Sequence, residues 1–288
     1  MTTSREIDPC PMCGSAGSKL LFTLQLKAKE YGLARCVQCG QHYCDPHPAP
    51  AEISEFYSGD YHAELREKGA TERIFGPKFK DYRDWILQYV KRGRSLDIGT
   101  ATGLFPSLLK EAGFDAEGIE FNQASAQWGR ANYGVKIFTG SLENSGISPG
   151  SYDLITMTDV LEHTDHPLHY LEFVREYLKP RGFMLITFPD ITSWESRYVH
   201  FLAKTFHREW LHHRCTSIPG HIWEFTPATA RAMFRKAGFD VRGFRRHQDG
   251  MQPSSGVLSL LLLPTWLFQL PPLGKLAGGQ MHFVIQRQ

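Results

Sequence analysis

From about residue 76 the chain alternates short apolar runs with stretches whose apolar residues recur at helical spacing, and this alternation restricts the fold more than any other feature. Phe79, Tyr82, Ile86, Tyr89 and Val90 mark a first helix. RSLDIG, FDAEGIE, VKIFTG, YDLITMTDV and FMLITFP read as strands, and DVRGFRRH and MHFVIQR as two more near the end. Between them lie helical stretches: LFPSLLKEAG, ended by Gly113; NQASAQWGRAN, capped by Asn122; PLHYLEFVREYLKPRG, stopped by Pro180 and Gly182; and TPATARAMFRKAGF, with Thr226 as N-cap and Pro227 at its first position. Strands alternating with helices predict an α/β domain, a doubly wound, mostly parallel seven-stranded sheet with helices on both faces.

Residues 1–45 have a different character. Cys10 and Cys13 form one Cys-x-x-Cys pair, Cys36 and Cys39 another, and each second cysteine is followed by a glycine, Gly14 or Gly40. Four thiolates suit a closed tetrahedral Zn²⁺ site of the structural kind, with no open position for catalysis. KLLFTLQL between the pairs reads as a strand, so the segment is expected to be a small zinc ribbon. Cys44 is expected to be a bystander. MTTSREIDPC has no apolar stretch of the signal-peptide kind, and paired thiolates favour a reducing, cytoplasmic setting. Residues 46–75 read as a linker whose Tyr57, Tyr61 and His62 pack over the next domain or line a substrate pocket.

The loop SLDIGTATGLF, residues 95–105, follows the first strand of the main domain. In a parallel sheet, ligands sit outside the carboxyl ends of the strands. Gly99 and Gly103 allow close approach to the backbone, Asp97 sits at the strand tip, and Glu120 ends the next strand, where it can accept hydrogen bonds from ribose hydroxyls. The loop is neither a Gly-x-Gly-x-x-Gly fingerprint nor a phosphate loop with Gly-Lys-Ser/Thr. An acidic loop without a phosphate-binding lysine suits a nucleoside with a cationic centre and an ammonium group, a description met by S-adenosylmethionine. The net charge of +2 is too small to argue for nucleic acid or an acidic membrane.

LDIGTATG, GIEFN, GSLEN and YDLITMTDVLEHTDHP, in this order, resemble the class I S-adenosylmethionine-dependent methyltransferases over roughly residues 76–248. The resemblance implies that Asp97, Gly99, Ala101 and Gly103 face the methionine part of the cofactor. It also implies that Glu120 binds the ribose, that Phe121, Leu142 and Glu143 border the adenine, and that Asp159 lies near the methionine end. Ala101 stands where the family often has glycine. DVLEH, residues 159–163, and GHIWEF, residues 220–225, further resemble the ubiquinone-biosynthesis O-methyltransferases and the small-RNA 2′-O-methyltransferases, which methylate oxygen with a divalent ion. That likeness implies a Mg²⁺, Mn²⁺ or Fe²⁺ site at Asp159, Glu162, His163 and His221. Without an ion, His163 or His221 serves as general base beside Glu162.

Residues 190–222 form an insertion that family members use to cover the acceptor. His207, His212, His213 and Cys215 within it are expected to be surface residues rather than a metal site. Trp194, Tyr198, Phe201, Trp210 and Trp223 suit an aromatic acceptor pocket or the core of the insertion itself. VLSLLLLPTWLFQLPPL, residues 257–273, is apolar, is interrupted by Pro264, and falls short of the ~20 residues that span a bilayer. A buried helix pair, a surface for a membrane or lipid-linked substrate, and an oligomer interface all remain open for it. The expected function is O-methylation of a small molecule, a sugar or glycan, or a secondary metabolite. Two alternatives stand beside it. One is an RNA-modifying enzyme using the ribbon, although Lys19, Lys27, Lys29 and Arg35 are scattered. The other is a scaffold without turnover.

Overall fold

The computed structural model describes residues 7–26, 29–49, 51–53, 63–67, 69–208, 211–212, 215–247 and 278–288. The expectations for Tyr57, Tyr61, His62, Trp210, His213 and the apolar run 257–273 lie outside these residues.

Among the described residues the strands and helices follow in the order β1 (Ser18–Leu26), β2 (Lys29–Cys36), β3 (His42–Asp45), α1 (Ala70–Ile86), β4 (Gly93–Ile98), α2 (Leu104–Glu111), β5 (Phe114–Glu120), α3 (Gln123–Tyr133) and β6 (Lys136–Thr139). They continue with β7 (Tyr152–Thr158), α4 (Pro167–Arg175), β8 (Leu178–Pro189), α5 (Trp194–Thr205), β9 (Trp223–Glu224), α6 (Pro227–Lys236), β10 (Phe239–His247) and β11 (Gln280–Arg287). The main sheet has seven strands in the order β10-β11-β8-β7-β4-β5-β6. β4 pairs in parallel with β5 on one side and β7 on the other, so the chain winds away from it in both directions. The crevice beyond its carboxyl end is the switch point of the sheet. Only β11 runs against its neighbours, β8 and β10.

Ser95–Ile98 of β4 and Leu154–Met157 of β7 are buried without a break. Such continuous runs arise where a strand is covered on both faces. The side chains then part by alternation. Leu154 joins Tyr82 and Ile86 of α1 and Phe105 and Leu109 of α2 on one face. Ile155 joins Leu171 and Val174 of α4 and Phe234 of α6 on the other.

Local signals place most boundaries. Asn122 caps α3 by accepting the Ser125 amide at 3.0 Å, and Thr226 and Thr229 form a reciprocal capping box at α6. Two boundaries differ from the expectation. α1 begins at Ala70, six residues ahead of the expected start near 76, and Pro77 lies inside it; Tyr89 and Val90 follow after its end. α4 ends at Arg175, and Pro180 and Gly182 are not its stops but part of β8. The Tyr177 carbonyl accepts the amides of Ser151 and Tyr152, which draws the chain into the sheet before the proline is reached. The register with β7 then shifts between Tyr152 and Leu154, and Arg181 turns through φ 61°.

The amino-terminal segment forms a four-stranded antiparallel sheet in the order β1-β2-β3-β9. Three strands come from residues 18–45, and the fourth is two residues from the far side of the chain. Cys10, Ala34, Cys36 and Tyr43 share one continuous core with Leu161, Ile222 and Trp223. His207 is exposed as expected, but His212 is buried. Its ring stacks on Phe22 of β1, with centroids 3.8 Å apart, and its Nδ1 lies 2.6 Å from that of His200. Burial, with His212 beside it, pushes His200 down to about 4, so the His200 ring is held neutral. Among the described residues, no helix is long and apolar enough to cross a membrane.

Candidate active site

Asp97 reaches the tip of β4 fully buried, and the Thr156 hydroxyl donates to it at 2.5 Å. Burial pushes its carboxyl up to about 7 against that hydrogen bond. The following loop needs three left-handed residues, Gly99 (φ 74°), Ala101 (φ 49°) and Gly103 (φ 83°). A Cβ on Gly99 would lie 2.5 Å from Val160 Cγ2, so glycine is required there for space as well as for conformation. Ala101 occupies the position where the resembling family often has glycine, at a conformational cost of about 1 kcal/mol. Its amide donates to Glu120 Oε2 at 2.7 Å, and the Asn122 amide donates to Oε1 at 2.7 Å. One carboxylate at the end of β5 thus ties together the two loops that border the crevice. Burial raises its pKa, opposed by these amides.

Around this crevice Phe121 is 68% exposed, Leu142 is buried beneath, and Glu143 is exposed. Two supports escaped the sequence reading. A Cβ on Gly129 of α3 would strike the Thr102 carbonyl, so α3 packs against the loop backbone itself. The Thr102 hydroxyl also meets Thr71 of α1 at 3.2 Å. Gly129→Ala is therefore expected to destabilise the fold by roughly 1–3 kcal/mol, as overpacking does, and to weaken cofactor binding. Urea unfolding and calorimetry with S-adenosylhomocysteine check both effects.

Beyond β7 the chain enters a second group of polar residues. Asp159 adopts φ 55°. Its amide donates to the Thr187 carbonyl at 3.0 Å, its Oδ1 accepts the Thr187 hydroxyl at 3.1 Å, and its Oδ2 meets Lys78 Nζ of α1 at 3.0 Å. Burial works against its ionisation, but the charge and hydrogen bond of Lys78 prevail and hold the carboxyl below its ordinary value. Lys78 carried no signal in the sequence, because a lone lysine on a helix is ordinary.

Glu162 is 1% exposed, and neither carboxylate oxygen has a hydrogen-bond partner among the described residues. Burial pushes it up to about 8, with Asp159 adding to the rise and His221 opposing it. His163 Nδ1 lies 2.7 Å from the Gly220 carbonyl, and burial brings this ring down to about 4. His221 moves the other way. Burial lowers it, but its bond to Glu224 and the nearby carboxylates of Glu224, Glu162 and Asp159 raise it overall. The His163 and His221 ring centroids are 4.8 Å apart. Ligand atoms of Glu162, His163 and His221 all lie within 4.8 Å of one another, which brings together residues 58 positions apart. Asp159, expected in the same set, is not one of this group; Lys78 and Thr187 engage its carboxylate. Of the expected aromatic lining, Trp223 is buried, Tyr198 packs within the insertion, and Trp194 and Phe201 are exposed.

A pH dependence follows from Asp97 and Glu162. Both hold their protons to about 7 and about 8 in the folded protein, whereas the unfolded chain releases them near the ordinary carboxyl values. Between those limits the unfolded state binds fewer protons, so stability falls as pH rises. The urea midpoint is expected to drop between pH 6 and pH 8.5, and the D97N/E162Q double variant is expected to flatten the slope.

The four cysteines of the amino-terminal module are all reduced and meet at one point, their sulfur atoms within 4.8 Å of one another. Cys10 and Cys39 Sγ are 3.7 Å apart, and Cys13 and Cys36 Sγ 3.6 Å. The edge of a tetrahedron with Zn–S bonds of ~2.3 Å is ~3.8 Å, so the donor set fits such an ion. Gly14 (φ 73°) and Gly40 (φ 76°) close the two turns, their amides donating to the carbonyls of Cys10 and Cys36.

Comparison with known proteins agrees with this geometry. The family model described as a methyltransferase domain matches residues 73–242, more than half of the chain. A SAM-dependent methyltransferase from Thermotoga maritima superposes with a TM-score of 0.54 at 18% identity, covering 82% of this chain and 100% of its own. Another, from Archaeoglobus fulgidus, gives 0.53 at 16% identity, covering 79% and 100%. Among curated proteins, highly reducing polyketide synthase 2 of Gibberella zeae is 28% identical over 116 residues. That match takes in 36% of this chain and 4% of the synthase, so the chain corresponds to a small part of that protein. A glycine-bounded loop after β4, an acidic residue ending β5, the seven-stranded sheet and the family match together make this chain a member of the methyltransferase-domain family, with the class I fold of the S-adenosylmethionine-dependent methyltransferases.

Proposed function

We propose that the enzyme methylates a hydroxyl oxygen of a small molecule, a sugar or glycan, or a secondary metabolite in the cytoplasm. One observation carries this reading: the buried Glu162 carboxyl, unpartnered among the described residues, beside two imidazoles after β7. Asp97, Gly99, Ala101 and Gly103 would hold the methionine part of the cofactor, Glu120 its ribose, and Phe121, Leu142 and Glu143 its adenine. Asp159, anchored by Lys78, borders the methionine end. When bound, S-adenosylmethionine supplies a methyl group activated on a sulfonium. The protein's task is then to align the acceptor oxygen and remove its proton. His221 is the group suited to take that proton. His163, held neutral, and Glu162 line the same pocket and orient the hydroxyl.

The carboxylate oxygens of Glu162, without a partner among the described residues, favour a second reading, in which Glu162, His163 and His221 hold a divalent ion. Such an ion would lower the pKa of the acceptor hydroxyl. The residues fit: one carboxylate and two imidazoles with their donor atoms gathered. The four cysteines fit a structural Zn²⁺, and two cysteine turns joined by a β-hairpin support a zinc-ribbon reading.

The test follows labelled methyl transfer from S-adenosylmethionine into cell extract separated into small-molecule, glycan, lipid and RNA fractions, with and without chelator, while protein-bound zinc is measured. Label in the small-molecule or glycan fraction is the expected result. Loss of label on chelation with zinc retained would establish the divalent-ion reading. Label in RNA alone would replace the proposal with an RNA-modifying enzyme. Binding of S-adenosylhomocysteine with no label anywhere would favour a scaffold.

A further inference from the structure

The segment from Gly220 to Glu224 is pinned on both sides. Toward the main sheet, the Ile222 amide donates to the Glu162 carbonyl at 2.9 Å, and the Trp223 indole donates to the Thr164 carbonyl at 2.8 Å. The Gly220 carbonyl faces His163 Nδ1. Toward the cysteine module, His42 pairs with Glu224 and Tyr43 with Trp223, and the Cys44 amide donates to the Ile222 carbonyl at 2.8 Å. Gln41, 2% exposed, adds the decisive link. Its side-chain amide donates to the His42 carbonyl at 2.9 Å and to the Glu224 carbonyl at 3.1 Å, while its main-chain carbonyl accepts the Cys36 amide at 2.9 Å. Hydrogen bonds therefore run without a gap from the second cysteine turn to the backbone of Glu224.

The Glu224 side chain continues the path. It is 1% exposed, and its Oε1 accepts the Thr216 hydroxyl at 2.5 Å and faces His221 Nδ1 at 3.3 Å. A carboxylate opposite Nδ1 selects the tautomer that carries its proton there and leaves the Nε2 lone pair outward. We infer that Glu224 is a positioning residue that sets the tautomer and orientation of His221, and that Gln41 makes the cysteine module the support on which this pair is built. The module thus serves the acceptor site directly, through β3 and β9. For its bearing on catalysis, this rests on the reading that His221 faces the acceptor.

The experiment has two arms. In the first, the protein is labelled with ¹⁵N-histidine, and the His221 resonances are assigned by their absence in His221→Ala. Spectra are recorded above the titration of the ring. The native protein is expected to show a single Nδ1-protonated tautomer and Glu224→Ala a mixture, with Gln41→Ala shifted in the same direction. This arm does not depend on methyl transfer, so it separates failure of the inference from failure of the proposed function. An Nε2-protonated ring in the native protein, or spectra unchanged in Glu224→Ala, would overturn the assignment.

In the second arm, kcat is measured on an acceptor found by the fractionation above. Glu224→Ala is expected to lose roughly 10–100-fold in kcat, the range seen when the partner of a working histidine is removed. Binding of S-adenosylhomocysteine is expected to stay within about two-fold, since the cofactor crevice is not touched, with Glu224→Gln recovering part of the loss. In a His221→Ala background the same substitution is expected to cost nothing further, because its effect passes through His221. An equal loss in both backgrounds would reduce Glu224 to a structural role. If Glu224→Ala does not fold, Gln41→Ala is carried through the same cycle.

Discussion

His221→Ala is expected to lower kcat by roughly 10²–10⁴-fold, the range for losing a positioned proton acceptor, while S-adenosylhomocysteine binds as before. The size follows from where the ring sits. His221 is the one imidazole of the pair whose pKa the surroundings raise, since carboxylates face it, whereas His163 is brought down to about 4 and stays neutral. A group whose proton affinity is raised toward working pH is the more effective acceptor. Preserved cofactor binding is expected because His221 belongs to the Glu162 group, on the β7 side, rather than to the loop that follows β4. Steady-state kinetics beside calorimetry measure both quantities. A parallel loss of cofactor affinity would assign His221 to the cofactor crevice instead.

The second large effect is expected from the cysteines. Cys36→Ser is expected to abolish stoichiometric zinc in the purified protein and to lower the unfolding midpoint steeply, whereas Cys215→Ser stays within about 1 kcal/mol of the native protein. Structural zinc in small modules contributes on the order of 10 kcal/mol of binding free energy at neutral pH, which is folding free energy where the site exists only in the folded chain. Here the loss would reach further than the module. Cys10 and Cys36 are fully buried in the same core as Trp223 and Leu161, so the turn that carries Glu162 and His163 loses its packing partner. Metal analysis and thermal unfolding of the two variants decide the matter. An unfolding midpoint unchanged in Cys36→Ser would mean that the core holds without the thiolates.

The main sheet was legible because its cues are local. Buried parallel strands read as unbroken apolar runs, and Asn122, Thr226 and Pro227 state their helix starts in one residue each. The loop after β4 was legible as a turn for the same reason: Asp97, Gly99, Gly103 and Glu120 sit at fixed offsets from strand ends. What escaped the sequence depends on packing between distant segments. His212 looked like a surface residue until the Phe22 ring covered it. Gly129 reads as an indifferent helix glycine until the Thr102 carbonyl is seen above it. Glu162 and His163 were legible as candidates beside Asp159, but the sequence could not show that Lys78 would occupy Asp159 and leave the other two with His221. The fourth strand of the amino-terminal sheet was illegible altogether, since two residues carry no periodicity.

That strand has a consequence for the birth of the protein. During synthesis the amino-terminal sheet emerges first, yet its partner Trp223 lies 180 residues behind Tyr43. Until most of the chain has left the ribosome, β3 presents an open edge, and an unpaired edge is a template for the wrong neighbour. The cysteine turns can come together early, but the sheet edge at β3 closes only once residues 223–224 arrive. Gathering of the cysteines and pairing of β3 with β9 are therefore separated in time, and a stalled or shortened chain would carry the first without the second.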